Sequence, residues 1–111
     1  MQSLVWVANY HRNSLSQIDP KTNQIVGDPL RVPFAPEWMT SGDGKLWVFP
    51  SPYAENNIPQ NFQGVAEFDT AHTDKTSILS MDGLPMDGVV SAGSLWVTTQ
   101  EPNQVIRVAI E

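Results

Sequence analysis

Chemistry in this chain has to come from few side chains: 2 histidines, 12 acidic and 6 basic residues, and no cysteine, in a length of 111 residues. Without cysteine there is no disulfide, no thiolate metal site and no Cys nucleophile. His11, in the segment Asn-Tyr-His-Arg, is of the right type for a general base or a metal ligand near neutral pH. Its plain alternative is an exposed loop histidine. His72, in Ala-His-Thr-Asp-Lys, falls in a turn expected at the other end of the fold, so the two imidazoles should not converge within one chain. Glu37, Asp82 and Asp87 stand at or beside the starts of expected strands, and carboxylate oxygens there could hold Ca²⁺ or Mg²⁺. Glu37 and Asp87 are the metal candidates. Counted from Pro36 and Pro85, however, Glu37 matches Met86 and Trp38 matches Asp87, so no ring of like carboxylates results. No cofactor is otherwise expected. Phosphate-binding Gly-rich loops, His-Glu-x-x-His and Gly-x-Ser-x-Gly are all absent from the sequence.

The elements that must position these groups follow from a repeat. Leu4–Val7, Leu46–Val48 and Leu95–Val97 carry the same apolar-Trp-Val run, with Trp6, Trp47 and Trp96 spaced by 41 and then 49 residues. A second landmark follows each tryptophan: Ser-Leu-Ser-Gln-Ile-Asp to Asp19, Gly-Val-Ala-Glu-Phe-Asp to Asp69, and Val-Ile-Arg-Val-Ala to Ala109. A third precedes two of them, Pro36 and Pro85, each 11 residues ahead of its tryptophan. The longer spacing is a unit of about 40 residues with an insert of nine in the segment Pro-Ser-Pro-Tyr-Ala-Glu-Asn-Asn-Ile-Pro-Gln.

Each unit predicts four short strands. The first is Pro-Glu-Trp-Met-Thr-Ser or its counterpart from Pro85. Tight turns at 42–44 and 92–94 lead into the Trp-Val strand. The third strand alternates apolar and polar residues. The fourth is Gln-Ile-Val-Gly-Asp-Pro-Leu-Arg-Val or Lys-Thr-Ser-Ile-Leu-Ser-Met. Asp19-Pro20 before it is turn chemistry. The unbroken Leu-Trp-Val run predicts a strand buried on both faces. No helix is expected. The reading is all-β, with β-propeller-type antiparallel blades of four strands in one domain over 1–111, in units of roughly 3–35, 36–84 and 85–111.

The pattern apolar-Trp-Val, then apolar-x-apolar-Asp-Pro-x-Thr, then Pro and Asp-Gly-x-Leu-Trp-Val resembles YVTN and NHL-type repeats. It is also similar to blades of the virginiamycin B lyase-like propellers. The resemblance spans nearly the whole chain and implies the propeller fold. For the lyase-like group it further implies a metal-assisted lyase or hydrolase, for which Glu37, Asp87 and His11 would serve here. The histidines are too few to carry that group's site over residue by residue.

With strands lettered A to D from the axis outward, the chain runs B-C-D, A-B-C-D, A-B-C, which leaves a ring incomplete. Completion by a second copy, giving six blade-like units per homodimer, is the favoured expectation. Another chain, or more of a longer gene, is the alternative, and a compact non-propeller sheet is the third. Loops at 9–14, 50–63 and 100–104, with those at 32–36 and 81–85, should gather on one face, beside the inner-strand start that carries Trp38. Tyr10, His11, Trp38, Tyr53, Glu55 and Glu101 are therefore the expected contacts for a small polar ligand, a glycan or a protein.

A net charge of −6 with six scattered basic residues excludes a nucleic-acid footprint and argues against an anionic membrane surface. Apolar runs of four or five residues are too short to span a bilayer. Met-Gln-Ser-Leu-Val-Trp-Val has no basic segment followed by a longer apolar one, so no signal peptide is expected there and the cytoplasm is the expected compartment.

Overall fold

A computed structural model describes residues 4–51 and 62–110, and within them the chain is all-β. The strands are β1 (Val5–Asn9), β2 (Ser14–Asp19), β3 (Gln24–Ile25), β4 (Leu30–Arg31), β5 (Pro36–Gly42), β6 (Lys45–Pro50), β7 (Gly64–Asp69), β8 (His72–Ser80), β9 (Leu84–Ser91), β10 (Ser94–Gln100) and β11 (Gln104–Ala109). A single 3₁₀ turn, Tyr10–Arg12, joins β1 to β2. Three antiparallel sheets result: β1-β2-β3 with β4 also on β2, then β5-β6-β7-β8, then β9-β10-β11. The strand assignments follow the repeat, with two differences, the first being that β8 starts at His72 and not at the expected Lys75. The second is that the expected fourth strand of the first unit is split into β3 and β4. Pro29 in the gap has no N–H to give to a ladder, so pairing stops and resumes beyond it.

Local chemistry fixes the corners. Asp43 and Gly44 (φ 52° and 78°) close the β5–β6 hairpin, and Ala92 and Gly93 (φ 51° and 74°) close β9–β10. Two consecutive positive φ values are what a two-residue hairpin needs for its twist to match the strands. At the next corner of the unit, the Asp19 carboxylate accepts from the Lys21 N–H at 2.8 Å. Asp69 accepts from the N–H groups of Ala71 and His72 at 2.9 and 3.3 Å. The repeated aspartate is thus a turn-former, its side chain standing in for a backbone acceptor.

Strand β6 shows why Leu-Trp-Val is an unbroken apolar run. Leu46 and Val48 point to one face and pack with Leu15, Val32, Phe34, Ala66 and Phe68, joining the first and second sheets. Trp47 and Phe49 point to the other and pack with Val65, Leu95 and Val97, joining the second and third. Strand β5 lies between β1 and β9, so the sheets are stacked in chain order. Trp47 is buried on that account, and its indole N–H donates to the Glu67 carboxylate at 3.0 Å. Lys45 reaches the second oxygen of Glu67 at 3.3 Å.

Among the described residues, the end sheets each keep one face open. Val5 and Val7 on the first, and Val89 and Val105 on the third, are exposed, at 47, 37, 57 and 67 %. Trp96 is half-buried, with the Arg107 guanidinium 5.5 Å above its ring.

Candidate functional site

Strands β1, β6 and β10 all end on the same side of the stack, and that end gathers polar side chains. Register places them. Pro36 pairs with Pro50 and Trp38 with Phe49, so Glu37 is an extra residue in β5 without a partner in β6. Such a bulge re-aims a side chain, and bulges recur beside functional sites. Met86 is the matching extra residue of β9, between Pro85 opposite Thr99 and Asp87 opposite Thr98.

The bulge turns Glu37 toward Ser51, whose hydroxyl donates to the Glu37 carboxylate at 2.8 Å. Ser51 is only 1 % exposed, and its backbone N–H is bonded to the Ala35 carbonyl at 2.8 Å. The Tyr10 hydroxyl lies 3.5 Å from the same serine oxygen, within hydrogen-bonding range. The His11 ring meets the Tyr10 ring edge-on with centroids 4.9 Å apart. First and second sheets therefore contribute one cluster: a carboxylate, two hydroxyls and an imidazole, with an aromatic wall. Glu37 remains exposed, so the cluster has hydrogen-bonding capacity open to solvent.

The other expected residues lie elsewhere. Trp38 is 47 % exposed, and its indole N–H makes a long bond of 3.5 Å to the Gly88 carbonyl, tying β5 to β9. Asp87 sits on the open face of the third sheet, where its carboxylate accepts from the Gly88 N–H at 2.7 Å. There it lines a depression of about 170 Å³ with Gly88, Val89, Trp96, Thr98 and Val105. Glu37 and Asp87 are thus in different surroundings. Among the described residues no group of three or more His, Asp or Glu side chains could hold a metal ion. Glu101 is exposed in the turn after β10. Tyr53 and Glu55 lie outside the described residues. His72 is at the opposite end of the stack from His11, as the first residue of β8 rather than in the expected turn, with Nδ1 3.7 Å from Asp69.

A second depression, about 160 Å³, lies on the first sheet between Asn9, Arg12, Ser14, Pro29 and Arg31. Asn9 is occupied there, its amide donating to the hydroxyls of Ser14 and Ser16 at 3.1 and 2.9 Å.

Sequence reasoning missed Ser51, although the repeat carried a signal. Ser51 is the fourth residue after Trp47, as Tyr10 is the fourth after Trp6. The two occupy one repeat position in neighbouring sheets and come together for that reason.

The sequence matches no protein-family model and no curated protein. No helix among the described residues is long and apolar enough to cross a membrane.

Proposed function

We propose that the stacked sheets are blades of an incomplete propeller, and that the chain is a non-catalytic binding module assembling with copies of itself. The ligand is a small hydroxyl-rich molecule or glycan, held at the end that carries Tyr10, His11, Glu37 and Ser51. One observation carries the reading: a buried serine hydroxyl bonded at 2.8 Å to a carboxylate that a β-bulge turns out of the ladder. A fixed acceptor suits a sugar hydroxyl, and the neighbouring aromatic rings offer apolar surface to the C–H groups of a sugar. Resemblance to YVTN and NHL-type repeats supports the blade reading, as do the four-stranded antiparallel units and the two faces of β6.

Saturation-transfer NMR with a panel of neutral mono- and oligosaccharides and polyols tests it. Transfer to one or more panel members is expected, lost in Glu37→Ala and weakened in Tyr10→Phe. Transfer to no member, or transfer indifferent to both substitutions, overturns the reading.

A further inference from the structure

We propose that the open face of the third sheet docks on the open face of the first sheet of a second copy, so that two chains close a ring of six sheets. This deepens the self-assembly just proposed and rests on the blade reading. The chain itself supplies the template. The tryptophan-bearing face of the first sheet, with Trp6, Ala8 and Leu15, packs on Leu46, Val48, Ala66 and Phe68 of the second. The equivalent face of the second sheet, with Trp47, Phe49 and Val65, packs on Leu95 and Val97 of the third. The same interface is therefore made twice. Counting from the tryptophans, the third such face consists of Trp96, Thr98 and Val105, and it is uncovered. Among the described residues, the opposite-type face left uncovered is that of the first sheet, with Val5, Val7 and Ile25. These two faces are complementary in kind and lie at opposite ends of one stack, so they meet only between copies.

Charge agrees with this pairing. Asp87 and Glu101 lie at the loop end of the third sheet. Arg12 and Arg31 lie at the loop end of the first, beside its depression. Neither arginine has an ion-pair partner among the described residues. In a chain with only six basic residues and a net charge of −6, two of them face the side where a neighbour's carboxylates would arrive. A two-fold axis along the ring makes both contacts at once and leaves neither face open. Two copies give six blades, within the usual four to eight, whereas three copies would give more than that range.

The absence of cysteine makes the test direct. Val7→Cys and Thr98→Cys place single thiols at the positions equivalent to Val97 and Phe49, which share one cluster. The two variants are mixed and oxidised with diamide. The expected result is a Val7-to-Thr98 cross-link as the dominant product, with wild type running at twice the mass of one chain in light scattering. Like-to-like cross-links as the dominant product overturn the pairing of faces. A wild-type monomer at tens of micromolar overturns docking altogether. Circular dichroism of each variant confirms that it is folded, and Trp96→Lys, tested in parallel, is expected to give a folded monomer. The saturation-transfer measurement is independent: a cross-linked dimer without transfer sinks the loop-end site and leaves the ring standing.

Discussion

Gly88 offers a measurement of how closely the second and third sheets approach. A Cβ built on Gly88 would stand 2.5 Å from Phe49 Cζ and 3.0 Å from the Trp96 carbonyl oxygen. Phe49 is fully buried among Trp47, Val65, Leu95 and Val97, so its ring has no space to retreat into. The demand at Gly88 is for room, not for an unusual backbone angle, because its φ is not positive. Forcing a methyl into a packed core costs about 1–3 kcal/mol. Alanine returns about 0.5–1 kcal/mol through its lower conformational freedom in a strand. Gly88→Ala should therefore lose about 0.5–2 kcal/mol, which in a domain of this size lowers Tm by roughly 2–9 °C. Urea unfolding followed by tryptophan emission reads it as a lower midpoint at unchanged slope. Phe49→Leu removes the obstructing ring edge at its own cost, and the double variant should be more stable than the two losses added together. A Gly88→Ala protein as stable as wild type, or additive behaviour in the cycle, would refute the close approach. The Trp38 indole, bonded to the Gly88 carbonyl, gives a local readout of the same displacement.

Ala92 holds a left-handed conformation, φ 51°, at the turn position where the matching hairpin has Asp43. Ala92→Asn should raise stability by about 0.5–1 kcal/mol in urea unfolding, and an unchanged midpoint would contradict the turn assignment. The Asp69 pKa is lowered, chiefly because the Ala71 N–H donates to its carboxylate, with His72 adding to the effect. A depressed pKa stabilises the fold above the unfolded-state value and ceases to as pH falls through the lowered one, so Asp69→Asn should flatten the Tm–pH curve below about pH 4. Glu67→Ala leaves the buried Trp47 N–H without its acceptor and should cost about 1–3 kcal/mol, whereas Glu67→Gln keeps an acceptor and should cost less than about 1. Thr98→Phe gives the third sheet the residue that the second carries at Phe49. It should tighten self-association by about tenfold or more in sedimentation velocity, from roughly 1.5–3 kcal/mol of added burial.

What was legible in the sequence is what the repeat forces. Spacing of Trp6, Trp47 and Trp96 located the strands because a strand covered on both faces has no polar residue to interrupt it. The turns at Asp43-Gly44 and Ala92-Gly93 were legible because each carries a glycine at a position of positive φ. The candidate site was legible only in part. Tyr10 and His11 were marked by their loop and Glu37 by its place beside Pro36, but Ser51 carries no mark of its own. Its role appears once the Glu37 bulge is known, and a bulge is a shift in register between strands that no single strand displays. The same shift explains why Trp38 and Asp87, equivalent in the repeat, do different work. Both sit beyond a bulge on the tryptophan-bearing side. Trp38 finds the third sheet there, and Asp87 finds none.

The polar partner of each tryptophan shows how far an open face differs from a closed one. Register sets Trp6 opposite Gln17, Trp47 opposite Glu67 and Trp96 opposite Arg107. Within the closed interface Glu67 accepts the indole N–H, and the ring is left free to pack on the next sheet. At the open face the Trp96 N–H goes instead to the Ser91 carbonyl at 3.1 Å, and Arg107 covers the ring, its Nε donating to Ser94. That arrangement satisfies the indole without a partner and shields its apolar area behind a charge that stays wet. Thr98 in place of a phenylalanine removes more apolar area from the same face. The open face of the third sheet is therefore a more polar copy of the tryptophan-bearing faces of the first two. In the proposed pairing its valines and tryptophan would meet the first sheet's Val5 and Val7, with less apolar area than the internal interfaces bury.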